Sequence, residues 1–245
     1  MSDAPSRWQS IVPERQRVVM WGAADQARVN RHILLELGCH IAALIDDSPG
    51  LASPFPDVPL FAGWAAFEPW LRGQDASSLG FVIAIGNPYG HVRCQLHDHL
   101  CQAGLAPLML VDPSARICAS AAVGPGLQMM ANAVVHNEAR IGRQCIINTC
   151  SLVEHDCVLE DGVEIGPGAV LAGRVQVGAN SWIGTGACVR PRVRIGRNTI
   201  VGAGAVVAGD IPDGVVAVGV PAKPMSGRST PSRQAEHPKD LSSQI

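Results

Sequence analysis

The chain has 245 residues, 47% hydrophobic and only 16% charged, and its formal net charge of -2 at pH 7 comes without any basic block. This length supports one large or two modest cored domains, and the charge balance argues against nucleic acid or an anionic membrane as partner. Aromatic residues make up 4%, against 26 Gly and 18 Pro, a composition of many tight turns with cores of Val, Ile, Leu and Ala.

Met1 to Gln16 is polar, with Pro5 and Pro13 and no apolar signal core. No apolar run approaches the roughly 20 residues of a membrane span. Residues 1–16 are therefore expected to be a flexible N-terminus of a cytoplasmic protein. From Arg17 to Pro107 short apolar runs alternate with helix-like stretches: Val18-Val19-Met20-Trp21, Ala27 to Leu37, Ile41 to Ile45 and Phe81 to Ile85. This βαβ pattern predicts a parallel sheet of Rossmann-like type over 17–107. The strands end at Gly22, at Asp46-Asp47 and at Gly86-Asn87. Open parallel sheets bind ligands at those ends, which makes Gly22, Asp46, Asp47, Gly86 and Asn87 candidate substrate-binding residues. An acid there suits a ribose hydroxyl or a uracil N–H, although aspartates at strand ends are also ordinary turn formers. The first turn, Gly22-Ala23-Ala24-Asp25-Gln26-Ala27, lacks the GxGxxG of a nicotinamide dehydrogenase, and Asp25 either faces a nucleotide's pyrophosphate, which it would repel, or, the favoured reading, is the N-cap of a helix beginning near Gln26. The eight cysteines contain no CxxC pair and are read as reduced, small, buried residues.

From Val111 the pattern changes to a strict period of six. Every sixth residue from Val111 to Val207 is aliphatic or Met, through seventeen hexads without a slip, and a glycine often follows, as at Gly124, Gly142, Gly166, Gly178, Gly184, Gly196 and Gly202. One inward aliphatic per six residues suits a short strand and a turn, three of which close a triangular coil of eighteen residues. Seventeen hexads give between five and six coils, a prism roughly 27 Å tall at about 4.8 Å per coil.

Residues eighteen apart then stack. Only His136 and His155 fall inside the repeat. His155 is the third residue of its hexad, at a corner and facing outward, and Gly173 lies one coil above it. A glycine there leaves a groove and an amide able to hold a thioester oxygen. An imidazole between Glu154 and Asp156 suits a general base near neutral pH; the alternative is a solvated corner residue. His136, nineteen residues before His155, is placed one coil earlier on the same face, either lining the groove or at the surface. A zinc-dependent carbonic anhydrase on such a prism requires three histidines, and the repeat holds two, so no metal is expected.

The stretch Ile146-Ile147-Asn148-Thr149-Cys150-Ser151-Leu152-Val153-Glu154-His155-Asp156-Cys157 resembles the signature of the sialic acid O-acetyltransferase and UDP-4-amino-sugar N-acetyltransferase group of hexapeptide-repeat acyltransferases, and Gly219-Val220-Pro221-Ala222-Lys223-Pro224 resembles its closing GxPAK segment. The resemblance covers about residues 17 to 225. It implies a left-handed coil, His155 as catalytic base, Asp156 as its orienting acid, Asn148 and Glu154 near the acceptor, and the amide of Gly173 at the acetyl-CoA carbonyl. It further implies Lys223 near the CoA site, acetyl-CoA as co-substrate and a homotrimer with acetyl-CoA between neighbouring prisms. Two positions depart from the family. A second histidine, usual nine residues after the first, is replaced by Glu164, assigned here to the cofactor side, and the glycine-rich first loop keeps one glycine of three.

These readings predict a flexible segment 1–16, a nucleotide-sugar-binding domain over 17–107, a left-handed β-helix acyltransferase domain over 108–212, a closing segment 213–225 and a disordered tail 226–245. The function expected is acetyl-CoA-dependent N-acetylation of a nucleotide-linked amino sugar. The alternative is O-acetylation of a sialic-type or other sugar, and a purely structural or partner-binding prism is the non-enzyme reading.

Overall fold

The computed structural model describes residues 17–229. The segment 1–16 and residues 230–245 of the expected tail lie outside the described residues. Two compact units are present, one formed by residues 17–85 with Gln95–Leu108, the other by Gly86–Cys94 with residues 109–229.

In the first unit, β1 (Arg17–Trp21), β2 (His40–Asp46), β3 (Leu60–Ala62), β4 (Leu79–Ile83) and β5 (Ala106–Pro107) form a parallel sheet of order β3-β2-β1-β4-β5. Val18, Val19 and Met20 of β1 and all of β4 are buried, as β-branched and large apolar residues in a covered parallel strand should be. Helix α1 (Asp25–Glu36) turns Ala27, Asn30, Ile33 and Leu34 inward at helical spacing. Asp25 does not cap it: Ala24 holds the cap position without a side-chain bond, and the entry is fixed from β2, where Asp46 Oδ2 accepts from Ala23 N at 2.8 Å. Helix α2 (Trp64–Arg72), which contains Pro69, and α3 (Gly90–Gln102) were not anticipated. The division between the units falls inside α3.

In the second unit, seventeen two-residue strands, β6 (Leu110–Val111) to β22 (Val206–Val207), run one per hexad, each ending on the periodic aliphatic. Every third strand pairs in parallel, eighteen residues apart, giving the three faces of a left-handed parallel β-helix. Face one starts at Leu110–Val111, face two at Arg116–Ile117 and face three at Ala122–Val123. The second residue of each strand points inward and the fifth residue of each hexad fills the corner behind it, so that Ala133, Val135, Cys145, Ile147, Val153, Cys157, Ile165, Ala169 and Leu171 are fully buried. Each buried aliphatic contributes roughly 1.5–3 kcal/mol. The corners need a backbone that reverses within four residues: from Gly126 to Gly204 every sixth residue has positive φ, five of them Gly and nine not, among them Asp156 at 58° and Arg174 at 66°. The prism ends in β23 (Val215–Gly219), parallel to Ile200–Val201, and β24 (Ala222–Ser229), antiparallel to β23. Residues 226–229, expected in the disordered tail, thus belong to a strand, because backbone pairing in a hairpin does not require the apolar period that tail lacks. No helix among the described residues is long and apolar enough to cross a membrane.

Candidate active site

His155 and Asp156 occupy the corner between faces two and three, after Leu152–Val153 and before Val158–Leu159. His155 Nδ1 lies 2.8 Å from Asp156 Oδ2, with half of the imidazole and 43% of the Asp156 side chain exposed. Arg174, eighteen residues on, places its Nε 3.6 Å from the same oxygen. The hydrogen bond with His155, aided by the positive charge of Arg174, holds the Asp156 carboxyl below its ordinary value of 3.8. An ionised carboxylate only accepts, so Nδ1 carries the proton, and in the neutral imidazole Nε2 then presents its lone pair. Glu154 Oε2 accepts from His155 N at 3.1 Å.

Gly173 stands over the ring. A Cβ there would lie 2.5 Å from Nε2 and 2.6 Å from Cε1 of His155, and since Gly173 is not among the positive-φ glycines, glycine is needed for space rather than for backbone freedom. Ala172 N and Arg174 N donate to Val189 O at 3.1 Å and His155 O at 2.9 Å, whereas the Gly173 N–H has no partner among the described residues. Free amide, open Nε2 and oriented acid therefore share one exposed corner.

The other expected residues are placed less uniformly. Strand register sets His136 beneath Glu154 and Asn137 beneath His155, and the Nδ1 of His136 is buried without a partner. Asn148 sits at the preceding corner of the same coil, across strand Leu152–Val153 from His155, its Oδ1 accepting from Thr149 N at 2.9 Å. Lys223 is exposed on β24, opposite Val218. Glu164, expected beside acetyl-CoA, is 4% exposed on face one and is turned toward Asn87, whose Nδ2 donates to Oε1 at 3.0 Å. Its Oε2 lies 3.6 Å from Nη1 of the fully buried Arg93. Arg93 in turn donates to Gln144 O at 3.0 Å, Gly162 O at 2.8 Å and Gly86 O at 3.4 Å.

At the strand ends of the first unit, Gly22 is buried with φ 102°, its Cα passing so close to Ala84 O that no side chain fits. Its amide is bonded to Ile45 O at 2.7 Å, so it shapes the turn. Asp46 is likewise engaged at both oxygens, with Ala23 N and Ser48 N at 2.8 Å each. Asp47 is freer: Oδ2 accepts from Trp21 Nε1 at 3.2 Å, and desolvation beside that indole raises its carboxyl pKa, against the opposing effect of the hydrogen bond. Trp64 stacks on Trp21 at 6.3 Å and meets the edge of His99 at 4.2 Å. Gly86 and Asn87 belong to the other unit. No group of three or more His, Cys, Asp or Glu among the described residues is arranged to hold a metal ion.

The profile of the family described as "Bacterial transferase hexapeptide (six repeats)" matches residues 174–209. GDP-perosamine N-acetyltransferase from Escherichia coli is 30% identical over 103 residues, 42% of this chain and 46% of that protein, so the match spans about half the length of this curated relative. Two solved structures match far more completely. The acetyltransferase domain of PglB from Neisseria gonorrhoeae, in complex with acetyl coenzyme A, shares 31% identity at TM-score 0.76 over 86% of this chain and 100% of that one. A histidine-to-asparagine mutant of perosamine N-acetyltransferase from Caulobacter crescentus, in complex with CoA and GDP-perosamine, shares 37% identity at TM-score 0.77 over 85% of this chain and 96% of that one. The chain belongs to the hexapeptide-repeat sugar acyltransferases. Within this acyltransferase fold, two residues of the site escaped sequence reasoning. Arg174 was findable, since it lies eighteen residues above Asp156; Arg93 carried no signal, lying on the unanticipated helix α3 and outside the six-residue period.

The cysteines also differ from expectation. Cys39, Cys145 and Cys157 are buried, but Cys94 and Cys118 are intermediate and Cys101, Cys150 and Cys188 exposed. Burial pushes the thiol pKa of Cys145 up to about 12 and that of Cys157 to about 11.

Proposed function

We propose that the protein transfers the acetyl group of acetyl-CoA to the amino group of a nucleotide-linked amino sugar. The observation that carries the reading is the exposed His155–Asp156 pair, 2.8 Å apart, beneath the free amide of Gly173. The neutral amine attacks the thioester carbonyl carbon while Nε2 of His155 removes its proton. Asp156 keeps the proton on Nδ1 and stabilises the imidazolium that forms. The Gly173 N–H stabilises the oxygen as it becomes negative. The C–S bond then breaks, and the leaving thiolate takes the proton from His155, giving the amide and free CoA. Asp47, beside the Trp21 and Trp64 rings, is the carboxylate available to a nucleotide at the strand ends of the first unit.

A homotrimer fits the same geometry. Glu164 follows His155 by nine residues, half a coil, so face one, with Glu164 and Asn87, lies opposite the His155 corner. An acceptor touching both must lie between two copies. Face two, next to His155, presents Val134, Leu152 and Val170 half-buried on three successive rungs, followed by exposed Cys188 and half-buried Val206, a mostly apolar ladder suited to packing against a neighbour. The test is thiol release from acetyl-CoA with GDP-, UDP- and dTDP-linked amino sugars and with free sialic acids, for wild type and His155→Ala, with mass by light scattering. Turnover with a nucleotide-linked amine, lost in the variant, is expected. Turnover only on a free sugar hydroxyl would replace N- by O-acetylation, and full activity of His155→Ala would remove the base assignment.

A further inference from the structure

Glu164 lies half a coil from His155 on face one, and its surroundings dictate an orientation. One oxygen accepts from Asn87 Nδ2 at 3.0 Å. The other has no hydrogen-bond partner and faces Arg93 at 3.6 Å. The Glu164 and Arg93 side chains are 5% and 0% exposed, and the Arg93 guanidinium is itself fixed on three backbone carbonyls. The carboxylate is therefore compensated and immobile. Asn87 is only partly buried, and its Oδ1 has no partner among the described residues and is not enclosed.

An asparagine amide can face either way round, offering donor or acceptor outward, and its neighbours decide which. A carboxylate has no proton to give, so only the NH2 can face it. A glutamine or histidine in its place can both donate and accept and would permit either orientation.

We propose that Glu164 is a positioning residue that locks the Asn87 amide with Nδ2 inward and Oδ1 outward, so that this segment reads a hydrogen-bond donor on the acceptor sugar. The proposal rests on the acceptor reading given above, and it assigns Glu164 no contact with substrate. A misoriented neutral amide leaves one hydrogen bond unmade, about 1 kcal/mol or roughly fivefold in affinity.

The experiment is a double-mutant cycle on the full chain with Glu164→Gln, Asn87→Ala and the pair, using GDP-perosamine as first acceptor. Glu164→Gln is expected to raise the acceptor KM about fivefold or more, leaving kcat and the KM for acetyl-CoA within twofold. In the Asn87→Ala background the same change is expected to have no further effect on the acceptor KM, because Glu164 acts through that amide. An unchanged acceptor KM in Glu164→Gln, or additive effects in the cycle, overturns the proposal and leaves Glu164 a purely structural partner of Arg93. The lock is also read without turnover. The Asn87 side-chain amide resonance, identified by its loss in Asn87→Ala, is expected to be protected from solvent exchange in wild type and unprotected in Glu164→Gln. Fast exchange in wild type refutes the lock whatever the substrate. Protection together with no transfer to any nucleotide-linked amine would instead sink the acceptor class alone.

Discussion

Gly173→Ala places a single methyl group where the geometry tolerates none. Its carbon would lie 2.5 Å from Nε2 and 2.6 Å from Cε1 of His155, while ordinary contacts begin near 3.5 Å. The imidazole must retreat by about 1 Å, and it cannot do so while keeping Nδ1 at 2.8 Å from Asp156. A displacement of that size at a reacting group costs on the order of 10²-fold in rate, about 2.7 kcal/mol of transition-state stabilisation. Half of the ring is exposed, so the fold loses little. The expectation is a kcat about a hundredfold lower with the melting temperature within about 2 °C of wild type. Gly209 lies in the same column two coils further on, and a Cβ there would meet nothing within 4 Å, so Gly209→Ala serves as control and should keep activity within threefold. Stopped assays of thiol release over a range of acceptor concentrations, beside thermal denaturation, decide the matter. A Gly173→Ala enzyme with kcat within threefold of wild type would show that the face of His155 beneath Gly173 is not where transfer occurs.

Asp156→Asn removes the acceptor-only partner that fixes the tautomer, and kcat should fall about 10²-fold with the KM for acetyl-CoA little changed; an unaffected kcat would remove Asp156 from the mechanism. Because the Asp156 carboxyl is held below 3.8 in the folded chain, its stabilising contribution is fully present above that value and is lost as pH falls through the lower folded value. The melting-temperature difference between wild type and Asp156→Asn should accordingly be constant at neutral pH and disappear in strong acid; growth of the difference in acid would reverse the sign of the argument. Arg93→Met leaves Glu164 buried without its counter-charge and removes the hydrogen bonds to three backbone carbonyls, a loss of about 3–5 kcal/mol measurable by denaturant unfolding, and Arg93→Met with Glu164→Gln should recover part of it; a loss under about 1 kcal/mol would contradict the burial. Alkylation of the native protein at pH 8 followed by peptide mass analysis should modify Cys101 and Cys150 and spare Cys145 and Cys157, whose thiols are buried and raised to about 12 and about 11; modification of the latter pair before unfolding would be incompatible with their place inside the coil.

The prism was readable because every rung commits one residue inward, and the same count of eighteen brought Gly173 over His155 before any coordinates. It would also have sorted the cysteines: Cys145 and Cys157 hold the inward fifth position of their hexads, Cys150 the left-handed corner and Cys188 an outward strand position, as the structure shows. Helices α2 and α3 were hidden for a different reason. One carries Pro69 in its body, and the other interrupts its short buried stripe of Val92, Leu96 and Leu100 with the equally buried Arg93 and His97, which blurs the helical period. The pairing of Asn87 with Glu164 spans 77 residues and obeys no period, so nothing short of the folded chain discloses it.

The two carbonyls gripped by Arg93 Nε and Nη2, those of Gln144 and Gly162, are one full turn of the spiral apart. A single guanidinium thus cross-ties successive layers, and the stretch it spans contains Asn148, His155 and Asp156. In an array whose layers touch only their neighbours, fraying enters from the ends and travels inward. Here it meets a tie before it reaches the imidazole, so amide protons around residue 155 should be among the last to exchange. The corner that carries His155 and Asp156, though open to solvent, is thus expected to lie on one of the more slowly opening layers of the prism.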